Sequence, residues 1–371
     1  SFIHPQEITT LLGQGTHLSD IFVPVRINGD VALLKAIMKR LLELDDQKPG
    51  VVAREFIATK TAGWVEFESD LRGESWDELV ELSGVDRTQI HEVADLLAAH
   101  ENIIICWAMG LTQHKNGVAN IQEVVNLLLM RGAIGKPGAG ACPVRGHSNV
   151  QGDRTVGIVE RPSTAFLDAM ESHFGVPMPR EHGYDTVAAM QAMMRGDVDV
   201  FFAMGGNFLS ATPDTDFTAQ ALQKCSLTVQ VSTKLNRSHL VTGNDALILP
   251  CLGRSEIDIQ AGPQFVTVEN SMGIVQASRG GNKPVSKKLM SEPAIVCRMA
   301  QATFPSSKIP WETFVDSYDL VRDAIQSCIP GFEDYNQRVR RPHGFALPNG
   351  PRDGVFPTPD GKAHFTVHAA P

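Results

Sequence analysis

The stretch Ala133–Gly152, AIGKPGAGACPVRGHSNVQG, constrains this chain more than any other. Five glycines (Gly135, Gly138, Gly140, Gly146, Gly152) and two prolines (Pro137, Pro143) argue against regular helix or strand and predict a folded loop with several positive-φ turns. Such a loop exposes backbone N–H groups, and its ligand-reaching side chains are the guanidinium of Arg145 and the neutral hydrogen-bonders His147, Ser148, Asn149 and Gln151. That mixture suits an anion or a polyphosphate. A well-ordered connector between two subdomains accounts for the composition equally well.

Around this loop the periodicity alternates between strand and helix. Residues 1–20 read as a loop leading into a short strand, Ile21–Ile27. Asn28-Gly29-Asp30 is a strand-to-helix turn, with Asp30 as N-cap of a helix whose apolar positions are Leu33, Ile37, Leu41 and Leu44. Ser75-Trp76-Asp77-Glu78 opens a short helix, and Asp86 caps another with Ile90, Val93, Ala94 and Leu97 inward. A strand Asn102–Trp107, a Gly turn and a helix Val118–Arg131 ending at Gly132 complete one doubly wound unit. Ligands bind such sheets at the carboxyl ends of strands, which puts Met109, Gly110 and Gln113 on a binding edge.

A second series follows the loop: helix Asp185–Arg195 stopped by Gly196, strand Asp199–Met204, the turn Gly205-Gly206-Asn207, helix Asp214–Lys224, and strands Leu227–Val231 and Ala246–Leu249. Ser232 and Thr233 sit at a strand end, and Gly206-Asn207 reads either as a close approach to a ligand or as a plain tight turn. Beyond Gln260 prolines and glycines thicken, and Glu269–Arg279 alternates like a hairpin. The fold class is therefore α/β, two Rossmann-like doubly wound lobes with a mixed C-terminal connecting region. The domains are expected at 1–147, 148–270 and 271–371, the last returning to both lobes.

Composition removes several function classes. A formal charge of −9 without a basic strip argues against nucleic acid. The longest apolar run, Ile103–Leu111, is far short of the roughly 20 residues needed to span a bilayer. The six cysteines contain no C-x-x-C pair, so neither zinc nor iron–sulfur spacing is present. No G-x-G-x-x-G or GxxxxGK[ST] follows a strand, which leaves the common nicotinamide and ATP sites unsupported.

The order and spacing of WAMGLTQHKNG (Trp107–Gly117) and GAIGKPGAGACPVRGHSNVQG resemble the molybdopterin oxidoreductases, in particular the formate dehydrogenase alpha-subunit-like members. The similarity runs from RINGDVALL near residue 30 to TPDGKAHFTV near residue 365. It implies a formate dehydrogenase/DMSO reductase-like fold and a molybdenum or tungsten held by two molybdopterin guanine dinucleotides (bis-MGD), one per Rossmann-like lobe. The matched cofactor positions are Asn28, Gly29, Asp30, Met109, Gly110, Gln113, Gly206, Asn207, Ser232, Thr233 and Glu292. For Asp30, a helix cap with no further role stays open. Arg145 matches the arginine beside the metal, which orients a small anionic substrate, and His147 beside it is a candidate proton shuttle or an ordinary loop hydrogen-bonder.

His147, beside Arg145, stands where formate dehydrogenases commonly have Gln, so a substrate other than formate is open; Ser255 and Glu292 also depart from the family pattern, which would alter contacts to the dinucleotide and leave the fold intact. The family's cysteine-rich N-terminal segment, with its 4Fe–4S cluster and Cys or selenocysteine ligand, and its C-terminal cap have no counterpart in these 371 residues. The resemblance therefore implies the central fragment of a cytoplasmic oxidoreductase that works with an electron-transfer subunit. No protein metal ligand and no bound cofactor are expected in this chain alone. A cofactor-free scaffold subunit of the same fold is the alternative.

Overall fold

The computed structural model describes residues 13, 15–16, 18–259 and 261–371, so the loop expected over residues 1–20 lies largely outside the described residues. Two compact units result: residues 1–146 with 348–371, and residues 147–347.

In the first unit the helix Asp30–Gln47 is central, and Ala32, Ile37, Met38, Leu41 and Leu42 are buried on it. Against it pack the helices Trp76–Ser83, Arg87–Ala98 and Gly117–Met130, together with Phe67, Leu71, Ile90 and Leu127. Its N-cap is Gly29, with Asp30 one residue inside the first turn, contrary to the expected cap at Asp30. The cause is Asn28, whose φ of 70° turns the chain earlier. Burial extends to charge: the Lys35 ammonium sits between Asp70 (2.8 Å) and Glu74 and also donates to the His368 carbonyl at 2.6 Å. Burial alone would lower the Lys35 pKa, but the bonds to the two carboxylates outweigh it and raise it.

Two small parallel sheets complete this unit. Thr61–Ala62 pairs with Ala363–His364, which brings the C-terminal residues into its core. Ile104–Trp107 pairs with Gly140–Pro143 from Ile104↔Gly140 to Trp107↔Pro143. The second pairing, with the helix Val150–Thr155 at the far end of the stretch, corrects the expectation that 133–152 excludes regular strand and helix. Pro143, which has no N–H to give, falls at the strand's last position, and a distant partner organises residues whose local propensity is poor. The expected strand Ile21–Ile27 is absent: Arg26 N–H reaches the Ser83 carbonyl at 2.8 Å, but Pro24 interrupts the donors and no strand lies alongside among the described residues.

The second unit contains a parallel sheet in the order Val200–Met204, Leu227–Ser232, Asp245–Pro250. The helix Thr186–Arg195 feeds the first strand, and Asp185 caps it by accepting from Ala188 N–H at 2.8 Å. Thr215–Leu222 links the first two strands, with Asp214 capping in the same way. Met190, Met193, Leu209, Ala221 and Leu222 form the core between these helices and the sheet. An antiparallel hairpin, Val266–Glu269 with Ile274–Ser278, is extended by Phe345–Ala346 and packs with Phe332 and Tyr335. The helices Glu292–Thr303, Trp311–Asp316 and Tyr318–Cys328 follow it. No helix among the described residues is long and apolar enough to cross a membrane.

Candidate functional site

Both units present loops at the carboxyl ends of their parallel strands. In the first, the chain leaves Trp107, passes the extended Ala108 and starts a one-turn helix, Met109–Thr112. Met109 is 55% exposed, and Gln113, at the helix end, donates from Nε2 to its Sδ at 3.4 Å. Gly110 is exposed, and a side chain there would meet only open space. The paired strand leaves Pro143 into Val144 and the exposed Arg145. A Cβ built on Gly146 would lie 3.8 Å from the Met109 methyl, so the two strand ends converge.

Asn28 joins this edge through its Oδ1, which accepts from Asn116 Nδ2 at 3.0 Å just ahead of the helix Gly117–Met130. Gly29 has no room for a side chain, since a Cβ would stand 2.8 Å from the Leu82 carbonyl. The fold therefore gathers Asn28, Gly29, Met109, Gln113 and Arg145 on elements that touch. His114 is tied to the Gly110 carbonyl at 2.6 Å.

In the second unit, Gly205 and Gly206 follow the first parallel strand at φ of 71° and 73°, a left-handed pair that leaves open space on its Cβ side. Asn207 Oδ1 accepts from Ser238 Oγ at 2.8 Å, and Asn236 Nδ2 donates to the Gly206 carbonyl at 2.8 Å. Asn236 is itself fixed, because it caps the turn Arg237–Leu240 reciprocally with His239. Ser232 Oγ donates to the Lys234 carbonyl at 2.6 Å, while Thr233 is exposed. The loop after the second strand thus buttresses the turn after the first.

Thr233 and Glu292 line one cleft of about 350 Å3, joined there by Arg254, Glu256, Arg279 and Gly280. Arg254 leaves the end of the third parallel strand and is held by Ser148 Oγ (3.1 Å) and Ser278 Oγ (3.4 Å). Glu256 accepts from Gly253 N–H at 2.7 Å. Tyr318 and Asp258 also line the cleft, hydrogen-bonded to each other; burial and the Asp258 carboxylate push the Tyr318 phenol well above its ordinary value. Gly206 and Asn207 do not line this cleft, and His147 is exposed at the start of the second unit.

Sequence reasoning missed Arg254, Arg279, Asn236 and Ser238. Arg254 was accessible to the strand-end rule already applied to Met109 and Thr233. Arg279 had no such signal, since only the closure of the hairpin carries it to the cleft.

The molybdopterin oxidoreductase family model matches residues 23–240, more than half of the chain. The chain belongs to this family. It is 51% identical over 371 residues to an uncharacterized oxidoreductase of Mycobacterium tuberculosis, covering 99% of this chain and 48% of the relative. Protein YdeP of Escherichia coli is 48% identical, with 98% and 49% covered. Formate dehydrogenase H of Escherichia coli is 25% identical over 236 residues, 61% of this chain and 31% of that enzyme. Among solved structures, the acetylene hydratase of Pelobacter acetylenicus matches with a TM-score of 0.59 at 18% identity, over 94% of this chain and 49% of that one. That likeness establishes the α/β, DMSO reductase-like fold of this molybdopterin family member. The chain spans about half the length of the curated relatives first named.

Proposed function

We propose that this chain supplies the dinucleotide-binding lobes of a formate dehydrogenase-like enzyme that carries out two-electron chemistry on a small anionic substrate. The observation that carries the reading is the cleft at the carboxyl end of the second unit's parallel sheet. It combines two guanidiniums, Arg254 and Arg279, with the Thr233 hydroxyl, the Glu292 carboxylate and the backbone at Gly280.

This donor set fits a guanine dinucleotide. Guanidiniums pair with phosphate oxygens in two-pronged fashion, and a carboxylate accepts from the N–H edge of guanine. The residues that would hold the group are Thr233, Arg254, Arg279 and Glu292 in the cleft, with Gly206, Asn207 and Ser232 at the neighbouring strand ends. In the first unit, Asn28, Gly29, Asp30, Met109, Gly110 and Gln113 form the corresponding set. When bound, a molybdenum–pterin centre supplies the two-electron redox couple. The protein binds, orients and neutralises charge. Arg145 offers a two-pronged guanidinium for a carboxylate, with the His147 imidazole two residues along the chain.

In the purified holoenzyme, the Arg254→Ala/Arg279→Ala double variant should release pterin and guanine nucleotide on desalting while the wild type retains them. Acid extraction followed by chromatography reads this without any assay of turnover. Full retention in the double variant would remove the cleft from the reading. A wild type carrying neither molybdenum nor guanine nucleotide would favour the cofactor-free scaffold.

A further inference from the structure

Cys106 and Cys142 are register partners on the adjacent parallel strands Ile104–Trp107 and Gly140–Pro143. Paired strands lie about 4.8 Å apart, within the roughly 4.4–6.8 Å Cα separation that a disulfide accepts. Register partners in a parallel ladder project their side chains from the same face of the sheet. The neighbouring Ile105 and Trp107 pack towards Val124 and Leu128, so strand alternation turns Cys106 to the other face, where it is exposed; Cys142 is half-buried. The other four cysteines, Cys225, Cys251, Cys297 and Cys328, are buried.

We propose that Cys106 and Cys142 form a reversible intrachain disulfide, a modification site that responds to peroxide and staples the strands leading to Met109 and Arg145. One thiolate attacks a peroxide oxygen, the O–O bond breaks, hydroxide leaves, and a sulfenic acid forms. The partner thiolate attacks that sulfur and displaces the hydroxyl oxygen as water. The two thiols give up two electrons and two protons in all, and one hydrogen peroxide becomes two waters. A dithiol reverses the step by exchange through a mixed disulfide. Cys225, Cys251, Cys297 and Cys328 are buried and so withdrawn from peroxide in solution. The proposal is independent of the cofactor reading, because its test needs neither pterin nor substrate.

The test is peroxide treatment of the native protein, alkylation of the remaining thiols, and peptide mapping without reduction. The expected result is loss of two of the six thiols, a cross-linked peptide joining Cys106 to Cys142, and recovery of both thiols with a dithiol. Cys106→Ser and Cys142→Ser should each stop at a sulfenic acid that dimedone traps on the remaining partner. Retention of all six thiols in the wild type overturns the proposal, as does a cross-link between other cysteines or between two chains. The wild-type map decides even where a serine variant fails to fold.

Discussion

Up to Gly146 the stretch 133–152 runs with the first unit, where the strand Gly140–Pro143 is followed two residues on by the exposed Arg145. From His147 it runs with the second unit, and there its polar side chains turn towards protein. Gln151 donates to the Glu269 carboxylate at 2.8 Å, and Asn149 accepts from the Glu269 backbone N–H at 2.9 Å. Gly152 is glycine for the same reason, since a Cβ there would fall 2.1 Å from Asn149 Oδ1. The two halves read in sequence as one motif with one task. The second half seats a loop on a hairpin, whereas the first half carries the exposed Arg145.

The largest expected effect tests the first half. If Arg145 acts on an anionic substrate, Arg145→Ala in the full enzyme should slow turnover about 100- to 1000-fold, roughly 2.7–4 kcal/mol of barrier by analogy with removed oxyanion donors. Arg145→Lys should recover part of the loss, because the ammonium keeps the charge without the fork. Exposed substitutions rarely move stability beyond about 0.5 kcal/mol, so the melting temperature and molybdenum content should hold. Full activity in Arg145→Ala, or activity lost only together with the cofactor, ends the catalytic assignment.

What was legible in the sequence was mostly local. The caps at Ser75 and Asp185, the stops at Gly132 and Gly196, and the three parallel strands of the second unit each follow from residues within one turn of the element. The strand Gly140–Pro143 was hidden because its partner lies more than thirty residues away and local composition argues against it. Lys35 was hidden for a related reason. On a helix it looks like solvent-facing charge, and only the approach of Asp70, Glu74 and the His368 carbonyl makes its burial tolerable. The motif residues were legible as a set, but their partition between ligand edge and loop anchor depends on Glu269, over a hundred residues downstream.

A smaller effect sharpens the comparison by separating the pH response of the first unit's core from that of its loop. Glu123 is fully buried, with Asn126 donating to one oxygen at 3.1 Å and the other oxygen unpartnered. Burial pushes its carboxyl from 4.5 up to about 7. The folded state therefore binds more protons than the unfolded state between those values, so this contribution to stability is present below pH 4.5 and is lost as the pH rises to about 7. At about 1.4 kcal/mol per pKa unit, the loss is on the order of 2–3 kcal/mol. Urea unfolding across this range should show the decline in the wild type and lack it in Glu123→Gln. An unchanged slope in the variant would assign the pH dependence to other groups.

The smallest effect decides whether the second half is an anchor. Asn149 has a φ of 67° ahead of the helix Val150–Thr155, and its amide also donates to Asp153 at 2.8 Å. Asn149→Ala removes these bonds and leaves a β-carbon in the left-handed region without the side-chain hydrogen bonds that let asparagine tolerate it, while Asn149→Gly removes the same bonds but relieves that strain. Alanine should therefore lower stability by about 1–2 kcal/mol, and glycine should give back a substantial part of that loss. A ligand-binding asparagine would behave otherwise, with alanine and glycine impairing cofactor retention equally and leaving stability near wild type. Denaturant midpoints and nucleotide content on the same preparations separate the two outcomes. Only the ordering wild type, then glycine, then alanine in stability, with nucleotide content following stability, keeps Asn149 on the structural side of Gly146.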